Sequence, residues 1–364
     1  VTRKLLLASV LLLLAYLLWW PVPVDPVVWK PLPNPGYNGA FAPNTELAKA
    51  QRIGIAGTHG PEALARGPDG LVYSSTHEGW IIRHDPAAGT TTRWVNTGGR
   101  PLGLAFDRAG QLLVADAYRG LLGISPAGDI SVLADAVDGA PIRYADDVDV
   151  APDGRVYFSD ASSKFGAQQY GGTYPASLLD LMEHGDYGRV LVYDPEQRKT
   201  QVLVEGLSFA NGVAVAEDGA FLLVNETGRY RVLKVFLRGP RAGEMEPLIE
   251  ALPGFPDNVV RGGEGRFWVG LVSPRLPVLD RLATRPWLRR VVQRLPAALK
   301  PAARHYGHVF AVNGEGRVLT SLQDPAGGFH TTTGALEADG WLYISSLAES
   351  SLARLPWPPP AGRQ

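Results

Sequence analysis

The 364-residue sequence contains no cysteine. Disulfides, cysteine-ligated zinc, thiol nucleophiles and a lipid-modified N-terminal cysteine are thereby excluded, although the compartment is not reported by this absence. Net charge is nearly absent as well. Thirty-five Lys and Arg offset 36 Asp and Glu to leave −1, so no global field recruits DNA or RNA, and no nucleic-acid partner is expected. What the chain has in excess is turn formers: 42 Gly and 30 Pro with no low-complexity period, alongside 45% apolar residues. That composition suits a large core built from many short strands.

A single long apolar run opens the chain. In "TRKLLLASVLLLLAYLLWWPVPV" two basic residues precede the apolar or small residues Leu5 to Trp20; Trp19 and Trp20 stand where an interfacial aromatic belt sits, and Pro21 and Pro23 end the helix. The expectation is an uncleaved signal anchor over 1–24, then a linker over 25–44. Arg3 and Lys4 then lie inside, and the rest of a single-pass membrane protein lies on the extracytoplasmic side. A cleaved signal peptide is the alternative, but the run is long for one and no clear cleavage site follows.

Beyond residue 50 one unit keeps returning: "GPDGLVYSS", "DRAGQLLVADA", "APDGRVYFSDA", "AEDGAFLLVNET", "GGEGRFWVG" and "EADGWLYISSL", with turn glycines Gly70, Gly110, Gly154, Gly219, Gly265 and Gly340. A second hairpin follows most copies, giving about four strands per unit. This spacing predicts an all-β, six-bladed β-propeller over 45–357, with a tail over 358–364. The segment before residue 60 is expected to lend a strand to the last blade and close the ring.

Eight residues before each turn glycine lies the start of an innermost strand, facing the central channel. Those residues are Glu62, Leu102, Asp146, Asn211, Asp257 and Thr332. Four are hard oxygen donors where an inner strand ordinarily takes Val, Ile or Ala; Asp147 and Asn258 follow directly in two units. A lone Asp or Asn here caps a turn. Four at one register converge at the channel mouth, and their charges call for a cation. Oxygen ligands without Cys point to Ca²⁺, held by Glu62, Asp146, Asn211, Asp257 and Asn258.

The motifs "GRPLGLAF", "VADAYRGLL", "VYFSDASSKF", "GRVLVYDP", "FANGVAV" and "PGFPDNVV" resemble the strictosidine synthase-like family, in particular its membrane-anchored branch, the adipocyte plasma membrane-associated proteins. The likeness runs from about residue 37 to 357 and takes in the N-terminal anchor. More distantly the chain is similar to calcium-dependent six-bladed hydrolases: paraoxonase, gluconolactonase and diisopropyl fluorophosphatase. The resemblance implies calcium ligands at Glu62, Asn211 and Asp257, and places Asp146 where those hydrolases carry asparagine. It also implies that the synthase's catalytic acid falls in the stretch before Gly340. This chain has "HTTTGAL" there, which cannot transfer that proton, so strictosidine synthesis is not expected.

The chemistry expected is therefore Lewis-acid hydrolysis of a small apolar lactone or aryl ester, with Asp257 or Asp146 as base or nucleophile and His59 or His330 as proton shuttle. A non-catalytic propeller braced by calcium is the alternative. Two insertions interrupt the repeat: 162–187, a loop with a short helix, and 273–307. In the second, Trp287, Leu288, Val291, Val292 and Leu295 share one helical face, opposite Arg289, Arg290, Gln293 and Arg294. Such a helix either lies in a membrane interface beside the N-terminal anchor or closes over the channel mouth.

Overall fold

The computed structural model describes residues 2–358, so the expected tail lies almost wholly outside the described residues. Six four-stranded antiparallel sheets surround a channel. Their innermost strands are Leu64–Arg66, Pro101–Phe106, Ala145–Val150, Ala210–Val215, Gly254–Arg261 and Thr332–Ala338. The sixth blade takes its outermost strand from the N-terminal side, where Gln51–Gly54 pairs antiparallel with Ser351–Pro356. All six turn glycines have positive φ, between 70° and 89°, a conformation a side chain resists, which is why glycine recurs at this point of the repeat.

Between blades the core is apolar. Ala214, Leu223 and Val232 of blade four meet Val259, Phe267, Val269 and Phe310 of blade five. Burial of such side chains stabilises by about 1.5–3 kcal/mol each. No blade can hide both faces alone, so this packing holds the ring together.

At the start of five innermost strands the register slips, between Pro101 and Leu104, Ala145 and Val148, Ala210 and Val213, Pro256 and Val259, and Thr332 and Ala335. These bulges kink the strand just where the repeated oxygen donors sit and re-aim two successive side chains toward the axis.

Among the described residues four α-helices lie outside the blades: α1 (Thr2–Trp19), α2 (Thr173–Glu183), α3 (Pro277–Leu282) and α4 (Pro286–Gln293). Both insertions join the second strand of a blade to its third, so α2, α3 and α4 stand on the face where the innermost strands begin. Beyond Arg3 and Lys4, helix α1 is apolar on every side, and all its leucines but the half-buried Leu17 are exposed. Its 18 residues rise about 27 Å against an apolar bilayer core of about 30 Å. Among the described residues no helix is long and apolar enough to cross a membrane.

Helix α4 forms, with Val292 packed against the buried cluster of Tyr144, Phe165 and Phe209, but its apolar side does not turn wholly inward. Arg289 and Arg294 are buried, whereas Trp287 is 59% exposed. The reason is unmet backbone carbonyls beneath the helix. Arg289 donates to the carbonyls of Met182, Val27 and Ala283, and Arg294 to those of Trp20 and Leu17. A buried carbonyl left unpaired costs about 1–3 kcal/mol, which these two arginines prevent.

Candidate metal centre

The repeated register brings its donors together. Glu62, Asp146, Asn211, Asp257 and Asn258 come from blades one, three, four and five, and none is more than 5% exposed. Asn258 donates its amide to the Glu62 backbone carbonyl at 3.1 Å and approaches the Glu62 carboxylate at 3.4 Å, while the Thr333 hydroxyl donates to the same carbonyl at 2.6 Å. Glu62 is thereby locked from blades five and six. The inner strands also crowd one another: a Cβ on Gly212 would lie 2.3 Å from the Val259 nitrogen, so only glycine fits beside the Asp257–Asn258 bulge.

Three acceptor oxygens here stay unpaired: among the described residues Glu62 Oε2, Asn211 Oδ1 and Asn258 Oδ1 are buried with no hydrogen-bond partner. The carboxyl groups answer accordingly. Glu62 is pushed up to about 7 by burial, which the Arg100 guanidinium and the Asn258 amide only partly offset. Burial, then repulsion from Glu62, raises both Asp146 and Asp257; the Asn211 amide draws Asp257 back down. Unmet oxygens around buried, mutually repelling carboxyls fit a hard cation such as Ca²⁺. Among the described residues no three His, Cys, Asp or Glu side chains close on a common point by themselves, so a cation here depends on the amide oxygens of Asn211 and Asn258.

The two histidines stand apart from these carboxyls. His59 is exposed, with its Nδ1 2.5 Å from the Glu78 carboxylate and its ring stacked on His77. His330 bonds the Thr331 hydroxyl and stacks on His305 at 3.9 Å. Neither hydrogen-bonds a residue of the cage: the loops that carry them pair with carboxylates of their own, Glu78 and Glu349.

Sequence reasoning missed the register two residues earlier, which reads Gly60, Arg100, Tyr144, Phe209, Phe255 and His330. Tyr144 and Phe209 join Leu102, Phe165, Ala176 and Met182 in one buried cluster with Val24, so α2 and the N-terminal segment cover the cage. The Tyr144 hydroxyl donates to the Thr173 carbonyl at 2.8 Å, fastening α2 down. That three of these six are aromatic was the available signal. Behind the cage a cavity of about 230 Å³ runs along the channel past Asp147, Asp149, Phe106 and Arg261.

Comparison with known proteins agrees with the architecture. The strictosidine synthase family profile matches residues 146–240, and a strictosidine synthase-like N-terminal profile matches 39–84. An adipocyte plasma membrane-associated protein of Salmo salar is 33% identical over 92% of this chain and 84% of its own. The chain belongs to the strictosidine synthase-like family. A plant member, STRICTOSIDINE SYNTHASE-LIKE 13 of Arabidopsis thaliana, is 36% identical over 82% of this chain and 67% of its own. Among solved structures, a gluconolactonase from Xanthomonas campestris superposes with a TM-score of 0.63 at 18% identity, covering 92% of this chain and 98% of its own. Regucalcin from Agrobacterium tumefaciens, described as a calcium-binding protein, gives 0.58 at 16% identity over 84% of this chain and 92% of its own. At such identities the likeness is one of fold.

Proposed function

We propose that this family member is a calcium-dependent hydrolase of lactones or aryl esters, held at a membrane by α1 with its propeller on the extracytoplasmic side. The observation that carries the chemistry is the set of unpartnered buried oxygens on Glu62, Asn211 and Asn258 beside the carboxyls of Asp146 and Asp257. These five residues would hold the ion. When bound, Ca²⁺ supplies Lewis-acid polarisation of a carbonyl. Neither aspartate carboxylate accepts a hydrogen bond among the described residues; the Asn211 amide lowers Asp257 but has no counterpart at Asp146, and we take Asp146 as the base that removes a proton from water. Tyr144, Phe209 and α2 exclude bulk water and give the substrate's hydrocarbon part an apolar wall.

The membrane reading is supported by surface chemistry. Helix α1 carries exposed apolar residues all round, Trp19 and Trp20 sit at its end, and α4 presents Trp287 outward beside it. The cover over the cage favours a second reading, a binding module whose calcium only braces the ring. Metal analysis of the purified full chain in detergent, with hydrolysis of phenyl acetate and a lactone panel before and after calcium removal, separates the two. Bound calcium with calcium-dependent turnover supports the hydrolase; bound calcium with no turnover leaves the module; protein without affinity for calcium defeats both.

A further inference from the structure

Blade two offers Leu102 at the donor register and so gives the cage no oxygen. Two residues earlier it offers Arg100, whose side chain is only 2% exposed. The loop that carries it is clamped: the Arg100 N–H donates to Asp116 Oδ1 at 3.0 Å, the Ala117 N–H donates to the Arg100 carbonyl at 2.9 Å, and Asp116 also takes the Thr97 hydroxyl at 2.8 Å. A Cβ on Gly99 would fall 2.2 Å from that carboxylate, so the turn before Arg100 has one shape. The guanidinium is thus placed in advance.

Its bonding is incomplete. Nη1 donates to the Pro101 carbonyl at 3.1 Å, and the buried Nε–H has no acceptor. Arg100 forms no ion pair among the described residues, yet its charge is felt at Glu62, Asp146 and Asp257, and also at His77. A guanidinium serving only to neutralise those carboxylates would meet one of them in a two-pronged contact, the strongest arrangement open to it. It stands off instead, beside them and not on them. A buried cation without a partner is costly, and one set rigidly next to a candidate metal site is suited to an anion that arrives with the substrate.

We propose that Arg100 forms an anion subsite next to the cage, which takes the carboxylate or phosphate group of the substrate and so narrows the substrate class to esters or lactones that carry such a group. This rests on the cage being a substrate site. It assigns to Arg100 orientation of the substrate, with no bond made or broken there.

The test is direct binding to the calcium-loaded full chain, by calorimetry, of benzoate, phenylphosphonate and the neutral analogue benzamide. The unchanged protein binds at least one of the two anions more tightly than benzamide, and which anion it prefers distinguishes a carboxylate from a phosphate ligand. Arg100→Met weakens the anion at least tenfold and leaves benzamide unchanged; Arg100→Lys, which keeps the charge without the fork, falls between. Calcium affinity in Arg100→Met holds or rises, because a repelling charge has gone. Three results overturn the proposal: anion binding equal in Arg100→Met and the unchanged protein, no preference for either anion over benzamide, or a tenfold loss of calcium affinity in Arg100→Met, which would make Arg100 a brace for the cage. Anion binding without hydrolysis of either phenyl acetate or the anionic ester 4-acetoxybenzoate would sink the hydrolase and leave the subsite standing.

Discussion

Asp146 and Asp147 are neighbours in one bulged strand, both buried, and they have opposite fates. The Asp147 carboxylate accepts the backbone N–H of Val148 and that of Val213 in the next blade, each at 2.9 Å. Asp149 repeats the device one step deeper, with Val150 and Val215 at 2.8 Å. These two carboxylates stitch blade three to blade four. Asp146 has no such donors among the described residues, and beside it Glu62 Oε2, Asn211 Oδ1 and Asn258 Oδ1 are likewise left without partners. Burial of charge is common to both groups, so burial does not mark the site; unmet hydrogen-bonding capacity does.

The largest effects should fall on the unmet group. Asp146→Asn removes the proposed base and lowers kcat for phenyl acetate by about 10²-fold or more. Glu62→Gln lowers calcium affinity by at least about tenfold, because cation affinity tracks ligand charge. In a thermal melt, calcium at about 100 times its Kd adds about 2.7 kcal/mol to the unchanged protein, and less to Glu62→Gln. The stitching group should behave in reverse. Asp147→Asn turns an amide N–H toward a backbone N–H and destabilises the fold by about 1–3 kcal/mol, with calcium affinity unchanged. Equal losses of calcium affinity at Glu62 and Asp147 in titrations would erase the distinction between the two groups.

A smaller, pH-dependent effect sharpens the same contrast. Glu62 is raised above its ordinary carboxyl value to about 7 by burial. A raised acid favours its protonated form in the folded state, so its contribution to metal-free stability is fully present below the unfolded pKa, near 4.5, and is lost as pH climbs through about 7. Calcium affinity runs the other way, since the ion must displace that proton. It should increase between pH 5 and 8, by up to about tenfold per pH unit for each proton released. Calorimetric titrations at pH 5, 6, 7 and 8 check the sign; a flat profile would mean Glu62 is ionised before metal arrives.

The ring and the cage were legible because both depend on repetition. Six turn glycines fixed the blades, and counting back eight residues found Glu62, Asp146, Asn211 and Asp257 by a spacing that no single copy reveals. Arg100, the interblade role of Asp147 and the cover escaped because each depends on what the neighbouring blade or insertion presents. Helix α4 shows the same limit. Its periodicity sets Trp287 apart from Arg289, but which arginines turn inward was decided by the carbonyls of Met182, Val27 and Trp20, residues far away in sequence.

His59 and His330 test how far that limit reaches. Both precede an innermost strand by a few residues, which made them attractive proton shuttles, yet each is engaged by a neighbouring group on the rim, His59 by Glu78 and His330 by Thr331. In the structure as it stands, His59→Ala and His330→Ala should each change phenyl acetate turnover by no more than about twofold, the factor that corresponds to about 0.5 kcal/mol for a surface substitution. Calcium affinity should not move. The check is kcat against pH for each variant: loss of a limb in His59→Ala would show that the rim folds inward once α2 lifts, and the separation between cage and rim would then describe only the covered state. An unchanged profile assigns proton transfer to the carboxyls alone.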